Sequence, residues 1–263
     1  MVKIPKAKFC VSLQKRRNMK ILVCISNVPD TTTKVTFNSD NTQFNTTGVQ
    51  YILNPYDEIA LARALELVEG GKGTVTVIHV GSAATEPTIR KALAIGADDA
   101  IRIDAEPLDG FFVATQIAEY AKDKNFDLIL AGRESIDYNN GQVAGLIGEL
   151  LDIPAVPIIK QLDVEGTSAT ASREIDGGTE VVSVVFPAIF SCAEGVAEPK
   201  IPNMRGIMSA RTKPLQVISA TDTHALSKVL TYSTPPARSS VKLFSTDELD
   251  KLAEALHSEA KII

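Results

Sequence analysis

Strand-like and helix-like segments alternate between residues 19 and 151, and this alternation restricts the possible folds more than any other feature. Strand-like apolar runs occur at Lys20–Ser26, Thr74–Val80, Ala100–Ile103 and Asp127–Ala131. The other segments have the apolar spacing and end signals of helices, which predicts helices from Asn54-Pro55 to Gly70-Gly71, from Thr85 to Gly96, over Phe111–Lys122 and over Gln142–Leu151. Strands that alternate with helices form a parallel sheet covered on both faces. We therefore expect an α/β protein with three αβα layers and a mainly parallel sheet.

The pattern changes after Pro154 to the short alternation typical of hairpins. The segment Arg173–Ser191 has Asp176-Gly177-Gly178 between two strand-like runs, which predicts a tight turn whose central residues both have φ > 0. Pro187 is expected to end the second run. From Glu194 onward we expect irregular structure, until a last amphipathic helix over Thr246–His257 that Ser245 and Glu248 begin as a capping box.

These patterns divide the chain into a basic leader at 1–18, an αβα domain with a β-hairpin extension at 19–230, and a C-terminal arm at 231–263. A chain of 263 residues can bury one substantial core with an appendage. No apolar run approaches the roughly 18 residues that a membrane-spanning helix needs. We therefore expect no membrane insertion.

Charge is distributed unevenly along the chain. Residues 1–18 contain six basic residues and no acidic one, which leaves −11 for the rest, since the net charge is −5. An acidic body argues against nucleic acid as the main partner. The leader has two interpretations: a targeting presequence, which would place the protein in the mitochondrial matrix, or a mis-assigned start before Met19, which would suit a bacterial cytoplasmic protein. We favour the second, because Pro5 and a weak helical periodicity count against a presequence.

Cysteine and histidine residues do not form recognisable metal or catalytic motifs. The three cysteines, Cys10, Cys24 and Cys192, are odd in number and far apart, so we expect neither a disulfide framework nor a metal site. His79 lies inside an apolar strand, where a hydrogen-bonded core histidine is the favoured interpretation. The sequence also has no Gly-x-Ser-x-Gly, Cys-x-x-Cys or His-x-x-x-His motif. We therefore expect no catalytic side chains.

The loop Gly132–Val143 joins the end of a predicted strand to the start of a helix. Backbone N–H groups there, together with the helix dipole, suit a phosphate. The loop has neither the P-loop sequence nor Gly-x-Gly-x-x-Gly. From the residues alone, a nucleotide site and a plain turn both remain open.

Two motifs together resemble the electron transfer flavoprotein β subunit, in the adenine nucleotide α-hydrolase-like superfamily. The first is the signature filled by Arg173, Asp176, Gly177, Gly178, Glu180, Pro187, Ala188, Ile189, Phe190 and Ser191. The second is the loop, in which the matching residues are Gly132, Arg133, Ser135, Ile136, Asp137, Gln142 and Val143. Glu134 replaces the usual Gln, and Tyr138, Asn139, Asn140 and Gly141 differ from the family's usual run. The resemblance covers about Met19 to Ser258.

The resemblance implies a structural AMP held by this subunit. The loop Gly132–Val143 would wrap the nucleotide, and the other contacts would come from Cys24, Asn54, Pro55, Tyr56, Asp57 and Val80. For Asn54–Asp57 the alternative is a helix cap with no ligand. The resemblance also places Thr31 and Tyr56 near the ring of an FAD held mainly by an α subunit, where an aromatic side chain shields the flavin from water.

The resemblance further implies roles in domain orientation and in docking. Glu174, beside Arg173, would help to orient the flavin-bearing domain, although the two residues could simply form a surface charge pair. The segment 192–214 resembles a recognition loop in which Met204, with Ile207 and Met208, would enter an apolar pocket of an acyl-CoA dehydrogenase. The alternative for these residues is ordinary core. The last helix would pack on its own domain or on the α subunit.

The function implied is that of an electron carrier subunit in a heterodimer. It would accept electrons from acyl-CoA dehydrogenase-type donors through FAD and pass them to a quinone-linked oxidoreductase. One alternative is an electron-bifurcating flavoprotein with a second FAD in place of AMP, which the run from Val28 to Thr32 resembles. Another is a stand-alone nucleotide-binding stress protein of similar fold.

Overall fold

The computed structural model describes residues 18–237 and 241–262. The strands are β1 Met19–Cys24, β2 Asn27–Pro29, β3 Tyr51–Leu53, β4 Gly73–Val80, β5 Asp99–Asp104, β6 Leu128–Gly132, β7 Ala155–Ile159, β8 Gln161–Glu165, β9 Ser168–Ile175, β10 Gly178–Val185, β11 Ala188–Cys192 and β12 Leu215–Ser219. The α-helices are α1 Pro55–Leu67, α2 Glu86–Ile95, α3 Gly110–Ala121, α4 Val143–Leu151, α5 Met204–Ala210 and α6 Leu249–Ala255. The basic leader lies outside the described residues, except for Asn18.

The central sheet has seven strands in the order β12-β5-β4-β1-β6-β11-β7, and every pair in it is parallel. Side chains alternate between its two faces, so Val23 and Leu22 belong to different core clusters. One cluster contains α1 and α2 residues such as Ile59 and Ile89, and the other contains α3 and α4 residues such as Phe112 and Ile147. The predicted three-layer αβα fold with a mainly parallel sheet is confirmed.

The strand order creates a crevice between β1 and β6. From β1 the chain adds β4 and β5 on one side of the sheet, and then crosses to place β6 on the other side. Ligands of open α/β sheets bind at such a reversal, beyond the carboxyl ends of the strands. This point therefore positions the candidate site.

The hairpin forms the outer part of a separate three-stranded antiparallel sheet, ordered β10-β9-β8. Ile175 pairs with Gly178, so Asp176 and Gly177 form a two-residue loop. Gly177 has φ +87°, whereas Asp176 is not among the positive-φ residues of the described chain. The expectation that both central residues have φ > 0 is therefore wrong, and the turn depends on one glycine.

Three further expectations about elements need correction. The apolar run up to Ser191 is not one strand of the hairpin: β10 ends at Val185, before Pro187, and the residues after Pro187 form β11, a buried strand between β6 and β7. The region after Glu194 is not irregular throughout, since it contains α5 and β12. The last helix begins at Leu249 rather than Thr246, because residues 245–248 form a turn in which Glu248 N–H donates to Ser245 O.

The chain divides into two compact units. The larger unit has residues up to Lys34 and Thr46–Val229, and it contains both core clusters. The smaller unit combines Val35–Asn45 with the described residues from Leu230 onward. Within the smaller unit, the rings of Phe37 and Tyr232 stack with centroids 4.8 Å apart. In the described ranges, no helix has the length and apolar character needed to cross a membrane.

Candidate functional site

The candidate site lies at the carboxyl ends of the neighbouring strands β4, β1 and β6. Cys24 and Val80, both predicted contacts, are buried at the last positions of β1 and β4. Burial raises the pKa of the Cys24 thiol above its usual range, and the nearby Asp57 raises it further. Because the thiol stays protonated, Cys24 can contribute backbone and surface but no thiolate chemistry.

Asp57 bridges the ends of β1 and β6 across the crevice between them. It lies in the first turn of α1 with 4% of its surface exposed. Its Oδ2 accepts from Ser26 N–H at 2.7 Å, and its Oδ1 accepts from Gly132 N–H at 3.0 Å. Burial raises the pKa of Asp57 to about 7, although hydrogen bonds from Asn54, Ser26 and Gly132 lower it. Both carboxylate oxygens are therefore used by backbone groups.

Asn54 joins the start of α1 to the predicted phosphate loop. It is fully buried, and its side chain does not cap α1. Its Nδ2 donates to Glu134 O at 2.8 Å, and its Oδ1 accepts from Ile136 N–H at 3.3 Å. The alternative in which the Asn54 side chain caps the helix is therefore wrong, because that side chain forms hydrogen bonds with the loop backbone instead.

The loop Gly132–Val143 folds back on itself before α4 begins. Ser135 and Asn140 form an antiparallel bridge, and Asn139 between them has φ +50°. Asn140 Oδ1 accepts from Gln142 N–H at 3.2 Å, while Asp137 Oδ1 accepts from Tyr138 N–H at 2.9 Å. The loop is therefore shaped by its own polar side chains.

The amino end of α4 suits an anion. Its first residue is Val143, and no side-chain cap hydrogen bond is present at this end. Gly145, in the first turn, has open space where a Cβ would be. Unused N–H groups at a helix start bind phosphate through their hydrogen bonds and the helix dipole. A nucleotide phosphate therefore fits the residues present.

Tyr56, at the start of α1, and Arg133, in the loop Gly132–Val143, are also in contact. The guanidinium carbon of Arg133 lies 5.6 Å from the centre of the Tyr56 ring, and Arg133 N–H donates to Cys192 O at 2.9 Å. A cleft of about 380 Å³ opens beside them. Its lining comes from the start of α1, the loop and the predicted recognition segment: Pro55, Tyr56, Ile59, Ile136, Glu194, Gly195, Ala197, Glu198 and Pro199.

The remaining predicted residues lie at other places. Thr31 is exposed in the connection after β2, next to Asp30, whose carboxylate accepts from the Thr32 backbone and hydroxyl. Glu174 does not pair with Arg173, so the alternative of a charge pair between them is wrong. The Oε1 atom of Glu174 lies 2.7 Å from Lys160 Nζ, whereas Arg173 pairs with Glu180 on the neighbouring strand.

The three predicted docking residues lie on the surface of α5. Met204 is 74% exposed, Met208 is also exposed, and so is Ile207. The alternative that they are ordinary core is therefore wrong. Asn203 begins the helix, since its Oδ1 accepts from Gly206 N–H at 2.8 Å.

Sequence reasoning missed several residues of the site. Ser26 N–H and Cys192 O act through the backbone, which leaves no side-chain signal in a sequence. Glu194 and Gly195 line the cleft next to β11, whose place in the sheet was not predicted. His79 agrees with its prediction: it is buried, its Nδ1 lies 2.8 Å from Ile25 O, and burial lowers its pKa.

Comparisons with known proteins show the family to which this chain belongs. The family model described as the electron transfer flavoprotein domain matches residues 41–223, which is more than half of the chain. The chain is 34% identical over 259 residues to the electron transfer flavoprotein subunit beta of Bacillus subtilis (strain 168), covering 93% of this chain and 100% of that one. It is 36% identical over 250 residues to the protein of that name from Syntrophomonas wolfei, covering 93% and 98%. For the human protein of that name the identity is 33% over 243 residues, covering 88% and 95%. The chain therefore belongs to the electron transfer flavoprotein family, among its β subunits.

Proposed function

We propose that this chain is the electron-carrier β subunit of a heterodimer whose α subunit holds most of an FAD, and that it binds a structural AMP. The observation that carries the proposal is the loop Gly132–Val143, which Asn54 and Asp57 attach to the strand ends beside an uncapped helix start. Family membership supports the heterodimer, because the relatives are named as beta subunits.

The AMP phosphate would lie at the amino end of α4. Backbone N–H groups there would supply hydrogen bonds, and Arg133 of the same loop would supply positive charge. Cys24, Pro55 and Val80 would contribute mainly backbone and surface at the strand ends, and residues 134–143 would enclose the nucleotide. AMP in this place supports the fold of the loop, whereas the redox chemistry of the complex is supplied by the flavin when it is bound.

Tyr56 and Thr31 would face the flavin ring held by the α subunit. The Arg133 guanidinium over Tyr56 restricts how the phenol ring turns. A fixed aromatic surface excludes water from one side of the flavin and so affects its potential through burial.

The surface of α5 would dock the electron donor, an acyl-CoA dehydrogenase-type protein. Met204, Ile207 and Met208 form an exposed apolar group on this short helix, and exposed apolar groups of this kind mark interaction sites. A methionine fills an apolar pocket adaptably. The acceptor would be a quinone-linked oxidoreductase.

Nucleotide content tests this function. The full chain is co-purified with its α subunit and denatured, and the released nucleotides are quantified. One FAD and one AMP per heterodimer is the expected result. Two FAD molecules would instead favour a bifurcating flavoprotein, and a nucleotide-binding chain that never pairs with the α subunit would favour the stand-alone protein.

Substituting Glu174 tests the proposed orientation of the flavin domain. Glu174 is 68% exposed and pairs with Lys160, and an exposed pair of this kind contributes less than about 1 kcal/mol to stability. We expect Glu174→Ala to slow electron transfer from the donor while the heterodimer still assembles. Lys160→Ala removes the same ion pair and keeps the carboxylate, so equal slowing by both variants would contradict a specific role for Glu174.

A further inference from the structure

The Asp57 carboxylate lies where β1 and β6 stop pairing. The backbone pairing of these strands runs from Ile21 and Leu128 to Val23 and Leu130. Beyond it, Asp57 accepts from Ser26 N–H and Gly132 N–H, one on each side of the crevice. The carboxylate therefore sets the separation of the two strand ends where they no longer hold each other.

The space between Asp57 and Gly132 leaves no room for a ligand. A Cβ built on Gly132 would lie 2.3 Å from Asp57 Oδ1 and 2.8 Å from Asp57 N. Both carboxylate oxygens already accept hydrogen bonds, and at pH 8 the ionised carboxylate would repel a phosphate. These facts argue against Asp57 as a direct phosphate contact.

Asn54 holds the backbone of the loop Gly132–Val143 as Asp57 holds the strand ends. Its amide donates to Glu134 O and accepts from Ile136 N–H, so one buried side chain holds both sides of the first loop turn. Asn54 also donates to the Asp57 carboxylate, so both N–H donors of its amide are used within the protein and a nucleotide could reach only a lone pair of Oδ1. Both side chains act on the backbone that would surround the ligand.

We propose that Asp57 and Asn54 are positioning residues, which hold the β1–β6 crevice and the loop Gly132–Val143 in the shape that accepts an adenine mononucleotide, without their side chains touching it. This inference rests on the proposed function, because it concerns the same nucleotide site. It assigns the binding contacts to the backbone and to Arg133.

The opposite end of the same strand pair supplies a matched control. Asp127 is also buried, and its Oδ2 accepts from Lys20 N–H at 2.9 Å at the amino ends of β1 and β6. Asp127→Asn therefore removes a buried carboxylate from the same two strands, at the edge of the sheet that faces away from the nucleotide site.

The experiment uses the full chain at pH 8, with and without AMP. Hydrogen exchange is followed by mass spectrometry on peptides that contain Ser26, Gly132, Ile136 and Lys20, and AMP affinity is measured by calorimetry. Without AMP, Asp57→Asn is expected to speed exchange at Ser26 and Gly132 about ten-fold or more, and to weaken AMP binding by a similar factor. Asp127→Asn removes the charge but keeps an oxygen that can accept from Lys20 N–H, so exchange at Lys20 and the AMP affinity are both expected to stay within about two-fold of wild type.

Asn54→Ala keeps the proposal testable if Asp57→Asn does not fold. It is expected to speed exchange at Ile136 without AMP and to weaken AMP binding. Weaker AMP binding with unchanged exchange in the AMP-free chain would show direct contact with the ligand and overturn the proposal. Faster exchange with wild-type AMP affinity would overturn it as well. A wild-type chain that binds no AMP would overturn the proposed function instead, so the two failures are distinguishable.

Discussion

Asp57 shows how one buried side chain can serve two strands at once. Its carboxylate is almost fully buried, and no basic side chain is among its hydrogen-bond partners in the described chain. Burial of a carboxylate without a basic partner disfavours its charged form, whereas hydrogen bonds from Asn54, Ser26 and Gly132 favour it. Burial prevails, so the pKa of Asp57 rises from 3.8 to about 7.

The pH dependence of stability follows from this shift. Because the folded pKa is higher than the unfolded one, the stability contributed by Asp57 is complete below about pH 4 and is lost as the pH rises through about 7. Between pH 5 and pH 8, the free energy of unfolding of the wild type should fall by about 2–3 kcal/mol relative to Asp57→Asn. Urea unfolding of both proteins at the two pH values measures this difference, and parallel pH profiles would contradict it.

The hairpin shows that an element can depend on a single backbone conformation. Of the two glycines at its turn, Gly177 has φ +87°, whereas Gly178 is not among the positive-φ residues. Both have open space where a Cβ would be. Only the backbone conformation therefore distinguishes them.

Alanine at these two positions should have different effects. Gly177→Ala forces an L residue into the left-handed region and should reduce the free energy of unfolding by about 1 kcal/mol or more. Gly178→Ala, the control, should leave it unchanged or slightly raised, because alanine restricts the unfolded chain. Urea unfolding of both variants measures the difference, and equal losses of stability would contradict a specific role for the positive φ of Gly177.

The helix α5 depends on a close approach to α2. A Cβ built on Gly206 would lie 2.3 Å from Ala94 O, a backbone atom that cannot turn away. Gly206→Ala should therefore displace α5 and cost about 1–3 kcal/mol of stability. Thermal unfolding and limited proteolysis at Arg205 measure this effect. Met208→Ala, an exposed change on the same helix, should leave both readouts near wild type.

At the scale of the whole molecule, the described part of the C-terminal arm contributes no residue to either core cluster. Both core clusters lie in the larger unit, and the described residues from Leu249 onward contribute no buried side chain. The arm carries exposed apolar residues such as Leu243 and Leu249, which would suit a contact with the α subunit of the proposed heterodimer.

Truncated chains test whether the C-terminal arm contributes to the stability of the core. A chain that ends at Val229 keeps all strands of the central sheet and both clusters, and we expect its melting temperature to stay within about 4 °C of the full chain. A chain that ends at Cys192 also loses β12, which pairs with β5, and should be much less stable. Calorimetry of the two truncated chains provides the comparison, and a shorter chain as stable as the longer one would refute it.

Local signals in the chain correctly predicted most of the elements around the site. Apolar periodicity predicted both ends of α2, α3 and α4 within one residue, whereas α1 ends three residues before the predicted Gly70; Gly96 ends α2 as expected. Family motifs identified the loop Gly132–Val143. These signals act over a few residues, so a sequence records them directly.

Long-range contacts were decided by the tertiary structure. The residues after Pro187 insert as β11 between β6 and β7, because a buried parallel strand takes the place where both of its faces are covered. Asp57 meets Ser26 and Gly132, and Glu174 meets Lys160 rather than Arg173. Strand order and backbone hydrogen bonds between distant segments leave no local pattern. The chain alone thus determined its family and most of the elements around the site, whereas packing of the sheet decided which side chain holds which strand end.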